Sequence, residues 1–259
     1  MFNSLQQREI FHLEFLRWFG RKTNPANYAL KGGVNMRFFF GSGRYSEDMD
    51  LDIEGLRVDL VQDTVLDIFQ SKNFIDNFKP YGIQDIGIPD IEKAKQAETT
   101  QRFKVHLITY SGEDLFTKVE FSRQGLQEGI KAGAVPDNIL HAYKMPPIIV
   151  PHYNGVAAAM QKLNALASRP VVQARDIFDL YILSPQILGS LSEAAKIPEK
   201  IELERAYENL FSVTFEQFRD SVISYLAPEQ QDSYNNGFFW DEIKLKVANL
   251  LEEMIKTHG

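Results

Sequence analysis

Residues 45–53, YSEDMDLDI, alternate between polar and apolar side chains, and this alternation limits the fold more than any other stretch of the chain. Successive side chains of a β-strand point to opposite faces. The period of two therefore predicts a strand in which four polar side chains share one face: Ser46, Asp48, Asp50 and Asp52. The opposite face would pack into the core through Met49, Leu51 and Ile53. Aspartate is depleted in strands, so an acidic strand face needs a physical reason.

Carboxylates on one face of a strand lie about 6–7 Å apart, and each pair costs about 0.6 kcal/mol in water or about 2.5 kcal/mol at an effective dielectric of 20. Mg²⁺ offsets this repulsion, because it binds one or two carboxylates together with substrate phosphates and water. An Asp-x-Asp strand thus indicates metal-dependent phosphoryl or nucleotidyl transfer. The alternative is a solvated edge strand whose charges discourage pairing with other chains. An EF-hand loop is excluded, since Ile53 and Asp59 occupy its glycine and bidentate glutamate positions.

Two other features lie near this strand in the predicted fold. Gly32 and Gly33 follow a short predicted strand and precede a predicted helix. Backbone N–H groups at such a junction bind phosphate, although a glycine pair is also common in simple turns. In LFTKVEFS, Glu120 shares the polar face of a predicted strand with Lys118. Glu120 is then either a third metal carboxylate or an ordinary surface residue.

Hydrophobic periodicity divides the chain into an α/β part and an all-helical part. In the first part it predicts helices over 4–20, 34–41 and 57–71, and strands over 28–31, 45–53, 80–87, 102–110 and 115–122. From His152 onward it predicts helices over 153–168, 171–184, 200–211, 214–226 and 238–257. Three prolines in residues 144–151 indicate a domain boundary or an edge element. We therefore expect an α/β domain over 1–150 and a helical domain over 151–259.

Composition narrows the class of protein. The chain has no cysteine, which excludes disulfides and thiolate metal sites and favours a cytoplasmic location. No apolar run is long enough to span a bilayer, so we expect no membrane partner. The net charge of −7 disfavours a general nucleic-acid binder. Residues 1–46 nevertheless carry seven Lys or Arg against two Glu, so positive charge lies just before the acidic strand, where an anionic ligand would be received.

The stretch LKGGVNMRFFFGSGRYSEDMDLDI resembles the glycine-pair and Ser-x-Asp-x-Asp motif of the AbiEii/AbiGii-type, MenT-like nucleotidyltransferases of toxin–antitoxin systems, within the polymerase-β-like superfamily. Downstream, KVEF and AAAMQKLNALASRPVVQARDIFDLYIL are similar to later motifs of this family, and the resemblance covers residues 5–183. Residues 34–36 depart from the usual threonine-alanine-leucine. The resemblance implies an α/β (α+β) nucleotidyltransferase core with a mixed β-sheet, followed by an all-helical C-terminal domain.

The resemblance also implies roles for individual residues. The metal carboxylates would be Asp48, Asp50 and Glu120. The nucleotide-binding residues would include Gly32, Gly33, Ser46 and Lys162. Asp176 would orient Lys162 or the acceptor, and the catalytic residues would be Asp48, Asp50, Lys162 and Asp176. Without the resemblance, Asp176 and Asp179 fit an ion-pair cluster on a helix surface equally well.

Three assignments rest on position along the chain. Arg37 and Arg44 flank the glycine turn, so they either bind the triphosphate or neutralise the acidic strand. Asp52 extends the acidic run and is expected to lie beyond the cleft. Ser46 lies beside the metal carboxylates, and a phosphate on it would compete with the nucleotide, which makes Ser46 a candidate site of inhibitory modification.

The acidic strand and the resemblance together predict a Mg²⁺- or Mn²⁺-dependent enzyme that transfers NMP from an NTP. The resemblance implies that this enzyme is the toxin of a toxin–antitoxin pair and that its acceptor is an RNA such as a tRNA 3′ end. A cognate antitoxin protein would be its partner. Two alternatives stay open: a nucleotidyl- or phosphotransferase that acts on a protein hydroxyl, and a non-catalytic nucleotide-binding module. The acidic net charge mildly favours a small or protein acceptor.

Overall fold

The computed structural model describes residues 2–88, 97–188 and 198–257. The strands are β1 Tyr28–Lys31, β2 Met49–Ile53, β3 Ile83–Gly87, β4 Thr100–Thr109, β5 Asp114–Ser122, β6 Ile130–Ala134 and β7 Ile149–Tyr153. The helices are α1 Ser4–Lys22, α2 Gly32–Phe39, α3 Val58–Gln70, α4 Lys72–Asp76, α5 Asp137–Ala142, α6 Gly155–Ser168, α7 Ala174–Leu188, α8 Lys200–Leu210, α9 Phe215–Ser221, α10 Pro228–Tyr234 and α11 Gly237–Thr257.

The chain forms two compact units that interrupt each other in sequence. The first unit comprises residues 1–39 and 45–153, and the second comprises residues 40–44 and 154–259. All seven strands belong to the first unit, whereas the described part of the second contains only helices and helical turns as regular elements. The observed architecture, a mixed sheet followed by a helical region, confirms the predicted one.

The first unit is built on one sheet with the strand order β3-β4-β5-β2-β1-β7-β6. The strand β2 pairs antiparallel with β1 and parallel with β5. Because β2 has a neighbour on each side, the prediction of a solvated edge strand is wrong. The acidic residues of β2 are therefore held at the centre of a sheet, where cross-strand neighbours decide how their charge is balanced.

The apolar face of β2 packs as predicted, but the strand is shorter than the alternation indicates. Met49 and Leu51 are completely buried, and Ile53 is buried with them in the main hydrophobic cluster. Ser46 and Asp48 precede the strand in a loop, so only Asp50 and Asp52 share a strand face. The prediction that all four polar side chains follow one strand is wrong for the first two.

The helix α1 supplies much of the core of the first unit. Its aromatic side chains form a buried row that includes Phe11, Phe15 and Phe19. Phe19 packs against Phe121 of β5, with ring centroids 5.3 Å apart. Aromatic rings in tilted pairs at this separation add a directional attraction to their apolar burial. The predicted helix over 4–20 is confirmed and extends to Lys22.

The segment around the three prolines differs most from expectation. Residues 149–153 form β7, which lies between β1 and β6 inside the sheet rather than at its edge. The strand β6, IKAGA, was not predicted because it has no alternating apolar pattern. Helical structure begins at Gly155 rather than at His152, because His152 and Tyr153 complete the sheet.

The second unit is a set of helices around its own core. Predicted helices over 153–168, 171–184, 200–211 and 238–257 are confirmed as α6, α7, α8 and α11 with small shifts of their ends. The predicted helix over 214–226 is split into α9 and a 3-10 turn. Three short helices were not predicted: α4, α5 and α10. Within the described ranges, no helix is long and apolar enough to cross a membrane.

Candidate active site

Gly32 lies directly against the carboxylate of Asp50. The antiparallel register places Lys31 of β1 opposite Asp50 of β2, and Gly32 follows as the first residue of α2. Its φ of +68° lies in the left-handed region that disfavours other residues. A Cβ at this position would fall 2.6 Å from the Asp50 Oδ2 atom. The structure therefore brings the predicted glycine and the predicted metal carboxylate together and leaves room for no side chain at residue 32.

Asp50 and Glu120 are cross-strand neighbours, because β2 and β5 pair in parallel with these two residues in register. Burial raises the pKa of Asp50, and the neighbouring Glu120 and Asp48 carboxylates raise it further. Lys31 and Lys118 act in the opposite direction on the same pKa. Two of the three predicted metal carboxylates, Asp50 and Glu120, are thus cross-strand neighbours.

We call the four carboxylates of Asp48, Asp50, Asp52 and Glu120 the acidic site. Three of them each bind a cation. Three ion pairs balance its charge: Lys118 Nζ to Asp48 Oδ2 at 3.0 Å, Arg102 Nε to Glu120 Oε2 at 2.6 Å, and Lys31 Nζ to Asp52 Oδ1 at 2.5 Å. In the part of the chain that the structure describes, Asp50 has no ion pair within 4.0 Å. The acidic site therefore keeps one carboxylate without an ion pair of its own, and that carboxylate is the one beside Gly32.

Asp52 is held by two neighbouring side chains. Its side chain is buried, and its second oxygen accepts a hydrogen bond from the Tyr153 hydroxyl at 2.8 Å. Because Asp52 also binds Lys31, it fixes an ammonium group one residue before Gly32. The expectation that Asp52 lies beyond the cleft stays a prediction, and the structure adds that Asp52 holds Lys31.

Ser46 and Asp48 lie in a loop that several side chains hold. The Ser46 hydroxyl donates to the Asp48 carbonyl at 2.8 Å. The Thr117 hydroxyl of β5 donates to the Glu47 carbonyl at 2.5 Å, and His12 Nε2 lies 3.2 Å from the same hydroxyl. Burial lowers the pKa of His12 to about 3, so this ring is neutral at ordinary pH. The loop is therefore tied both to itself and to α1 and β5.

Arg37 belongs to a buried network around Glu9. Its Nε atom lies 2.7 Å from Glu9 Oε1, its guanidinium lies 4.1 Å from the centre of the Tyr45 ring, and Tyr143 also donates to Glu9. These contacts anchor α2 to α1. They give no support to the prediction that Arg37 binds nucleotide, which stays a prediction. Arg44, the other flanking arginine, belongs to the second unit, where its backbone pairs with Leu226.

Lys162 of α6 is held between two carboxylates of α7. Its Nζ atom lies 2.9 Å from Asp176 Oδ1 and 2.6 Å from Asp179 Oδ2. Arg169 binds the other oxygen of Asp176 at 3.0 Å. The Asp176 and Asp179 side chains are 1% and 0% exposed, so the interpretation as a helix-surface cluster is wrong. We call Lys162, Arg169, Asp176 and Asp179 the lysine cluster.

Burial works against the charges of Lys162 and Asp176, and the attraction of the neighbouring opposite charges overcomes it. Burial alone would lower the pKa of Lys162, but Asp176 and Asp179 raise it above its ordinary value. Burial likewise opposes the charge of Asp176, whereas Lys162 and Arg169 lower its pKa. Lys162 is therefore a permanent cation with a fixed position. Asp179 was not among the predicted site residues, although its three-residue spacing from Asp176 placed the two on one helix face.

The acidic site has donors for a divalent cation but not a complete ligand set. Among residues 2–88, 97–188 and 198–257, no group of three or more carboxylate or imidazole side chains is placed to hold a metal ion. Asp50 and Glu120 nevertheless present hard oxygens side by side, and Asp50 has no protein cation. Mg²⁺ needs one or two carboxylates when substrate phosphates and water complete its shell. The residues present therefore fit such an ion through Asp50 and its neighbours.

Sequence reasoning placed one cation of the acidic site beside Glu120 and missed another. Lys118 shares the polar face of β5 with Glu120 by the period of two, and that pattern was sufficient to place it. Arg102 lies on β4, opposite Glu120, and its position depends on a strand register that the local sequence does not encode.

Comparison with solved structures identifies the class of fold. The crystal structure of JHP933 from Helicobacter pylori superposes with a TM-score of 0.54 at 18% identity, covering 98% of this chain and 93% of that chain. MenT4, a nucleotidyltransferase toxin from Mycobacterium tuberculosis H37Rv, superposes with a TM-score of 0.53 at 13% identity, covering 96% of this chain and 92% of that chain. At these identities the likeness shows the fold, which is that of the nucleotidyltransferase toxins and confirms the predicted fold class.

The family follows from the sequence as a whole. The model of the family described as nucleotidyl transferase AbiEii toxin, Type IV TA system, matches residues 15–245. The chain therefore belongs to the AbiEii family of nucleotidyltransferase toxins, and the resemblance drawn from its motifs is confirmed. A search of curated proteins gives no match.

Proposed function

We propose that the chain is a metal-dependent nucleotidyltransferase that uses an NTP, and that the acidic site is its catalytic centre. The placement of Asp50 is the observation that supports this proposal most directly. It is the carboxylate of the acidic site without an ion pair in the described chain, it lies beside Glu120, and it faces the glycine at the start of α2. An uncompensated carboxylate at the centre of a sheet is unfavourable unless a cation or a proton meets it.

Asp48, Asp50 and Glu120 would hold Mg²⁺ or Mn²⁺ in this proposal. The ion would neutralise charge on the phosphates and lower the pKa of an attacking hydroxyl for in-line displacement. The residues of the chain bind and orient the reactants. Gly32 and Gly33 open α2, so their backbone N–H groups and the positive end of the helix would bind phosphate oxygens.

In the second unit, Lys162 would bind the phosphates of the nucleotide. Asp176 and Asp179 hold its ammonium group in place, which fixes its position before the substrate arrives. We further propose that residues 1–150 act as the nucleotidyltransferase domain and residues 151–259 as the helical domain. Ser46, next to the Asp48 loop, would be the site where an added phosphate blocks nucleotide binding.

The acceptor is proposed to be an RNA such as a tRNA 3′ end, and the partner an antitoxin protein. Membership of a type IV toxin–antitoxin family supports the antitoxin. The net charge of −7 favours an acceptor that touches little surface, such as a strand end, over a long nucleic acid. A protein hydroxyl is the second candidate for the same reason.

The test is transfer of label from each of the four α-labelled NTPs with Mg²⁺, using total tRNA as acceptor. We expect label on tRNA with wild type, and a loss of at least about a thousandfold for Asp50→Asn, because one carboxylate of a metal site contributes several kcal/mol to the transition state. Label on protein instead would favour the second candidate. Binding of NTP without transfer to either acceptor would leave a nucleotide-binding module.

A further inference from the structure

The cations that neutralise the acidic site suggest how metal and nucleotide binding are linked. We propose that Lys118 and Arg102 are resident counter-cations of the metal carboxylates, that a divalent cation displaces them, and that the displaced side chains then bind the triphosphate. This inference rests on the proposed function and adds two substrate-binding residues to it.

The ion pairs occupy the oxygens that a metal ion would need. Lys118 lies 3.0 Å from Asp48 Oδ2, and Arg102 lies 2.6 Å from Glu120 Oε2. A divalent cation bound by these carboxylates would lie within a few ångströms of an ammonium and a guanidinium group. Like charges at such distances repel strongly in a half-buried site, so the side chains and the metal cannot share these oxygens.

Both cationic side chains are partly exposed to solvent. The Lys118 side chain is 27% exposed and that of Arg102 is 36% exposed, so each has a path to solvent. Their Cα atoms stay fixed in the β4–β5 ladder, where Arg102 is opposite Glu120. After displacement, two positive charges would therefore remain beside the acidic site, within the length of a side chain.

A triphosphate matches these released charges. The guanidinium of Arg102 can bind two phosphate oxygens, and the ammonium of Lys118 can bind one or more as a point charge. The metal then binds weakly on its own, since it must break ion pairs, and tightly with the nucleotide, since the nucleotide compensates the released cations. Metal and nucleotide would thus each increase the affinity of the other.

The test compares Lys118→Met with Lys104→Met in the full-length chain. Lys104 is the cross-strand neighbour of Lys118, and both substitutions remove one positive charge from the same hairpin. Mn²⁺ binding without nucleotide is measured by electron paramagnetic resonance, and binding of each labelled NTP with Mg²⁺ is measured by equilibrium dialysis. We expect Lys118→Met to bind Mn²⁺ about tenfold more tightly and the NTP about tenfold more weakly than wild type.

The control Lys104→Met should change either affinity by less than about twofold, because none of the acidic-site ion pairs includes Lys104. Thermal melting verifies that the variants are folded, and Arg102→Gln provides a second variant with the same expected pair of shifts. If Lys118→Met matches wild type in both assays while Asp50→Asn abolishes Mn²⁺ binding, the inference is wrong and the metal site stands. If no protein binds Mn²⁺ with or without NTP, the proposed metal site is wrong as well.

Discussion

Asp50 and Asp52 are two residues apart on β2, yet their surroundings give them different tasks. Asp52 is buried and has two partners, Lys31 and Tyr153. Asp50 is half-buried, faces Gly32 and has no ion pair in the described chain. A carboxylate with fixed partners contributes to stability, whereas one without an ion pair is available to a ligand, as the proposed function requires of Asp50. Alternation along the strand placed both on one face but could not separate these roles.

The contact between Gly32 and Asp50 gives a prediction at the scale of single residues. Gly32→Ala places a Cβ 2.6 Å from Asp50 Oδ2 and also strains a φ of +68°, so Asp50 must move. We expect an activity loss of at least about a hundredfold, because small displacements of a reacting geometry are costly. Steady-state transfer kinetics and a denaturant titration measure the two effects.

Gly41→Ala is the matched control for that substitution. Gly41 has the same φ of +68°, but a Cβ there would meet nothing within 4 Å. It should therefore show the backbone strain alone, about 1–2 kcal/mol of unfolding free energy, with transfer activity nearly unchanged. Equal loss of activity in the two variants would mean that strain, and not displacement of Asp50, accounts for the effect.

At the scale of elements, the loop before β2 depends on a neutral histidine of α1. His12 lies 3.2 Å from Thr117, whose hydroxyl binds the Glu47 carbonyl. Burial lowers the pKa of His12 from 6.5 to about 3. A group with a lowered folded-state pKa contributes stability that is complete above its unfolded pKa and is lost as the pH falls toward the folded value.

We therefore predict that the unfolding free energy decreases as the pH falls from about 6.5 to about 5, with up to about 1.4 kcal/mol per pH unit from His12. The variant His12→Gln should flatten this dependence in urea titrations. His152, whose pKa burial lowers to about 4, leaves a residual slope of the same sign. Replacing the exposed His141 by Gln should leave the wild-type slope, and a similar flattening in that variant would contradict the assignment.

Comparison of the predicted with the observed strands and helices shows which structural features can be predicted from one sequence. The buried face of β2 followed from its alternation, and α6 and α7 from their helical periodicity, because these patterns are local. The ends of β2 were not predictable in this way, since Thr117 and the Ser46 side chain fix the preceding loop. The pairing of Glu120 with Asp50 depends on a parallel register between distant segments, and such register is set by the whole sheet.

At the scale of the whole molecule, residues 40–44 connect the two units in an unexpected order. This segment interrupts the first unit in sequence but belongs to the second. Arg44 is 4% exposed, and its backbone pairs with Leu226. Loops without apolar periodicity carry no sequence signal of the unit they join, so the domain assignment from hydrophobic periodicity could not include this segment.

In a chain that ends at residue 153, the peptide bond after Arg44 should therefore lose its protection against proteolysis. We predict rapid tryptic cleavage after Arg44 in this shortened chain and slow cleavage there in the full-length protein, because proteolysis requires an exposed and flexible backbone. Cleavage after Arg57, which is 81% exposed at its side chain, provides the internal standard for both. Equal rates at Arg44 in the two proteins would show that Leu226 does not protect the segment.

Leu226, the partner of Arg44, lies far downstream in the sequence, and this order has a consequence for folding during protein synthesis. Domains fold while the ribosome adds about 5–20 residues per second, and N-terminal units complete first. Residues 40–44 emerge early, but their partner Leu226 is added more than 180 residues later. A translation product that stops before residue 162 would contain the carboxylates of the acidic site without Lys162. The carboxylates and the lysine would therefore occur together only in chains whose synthesis has passed into the second unit.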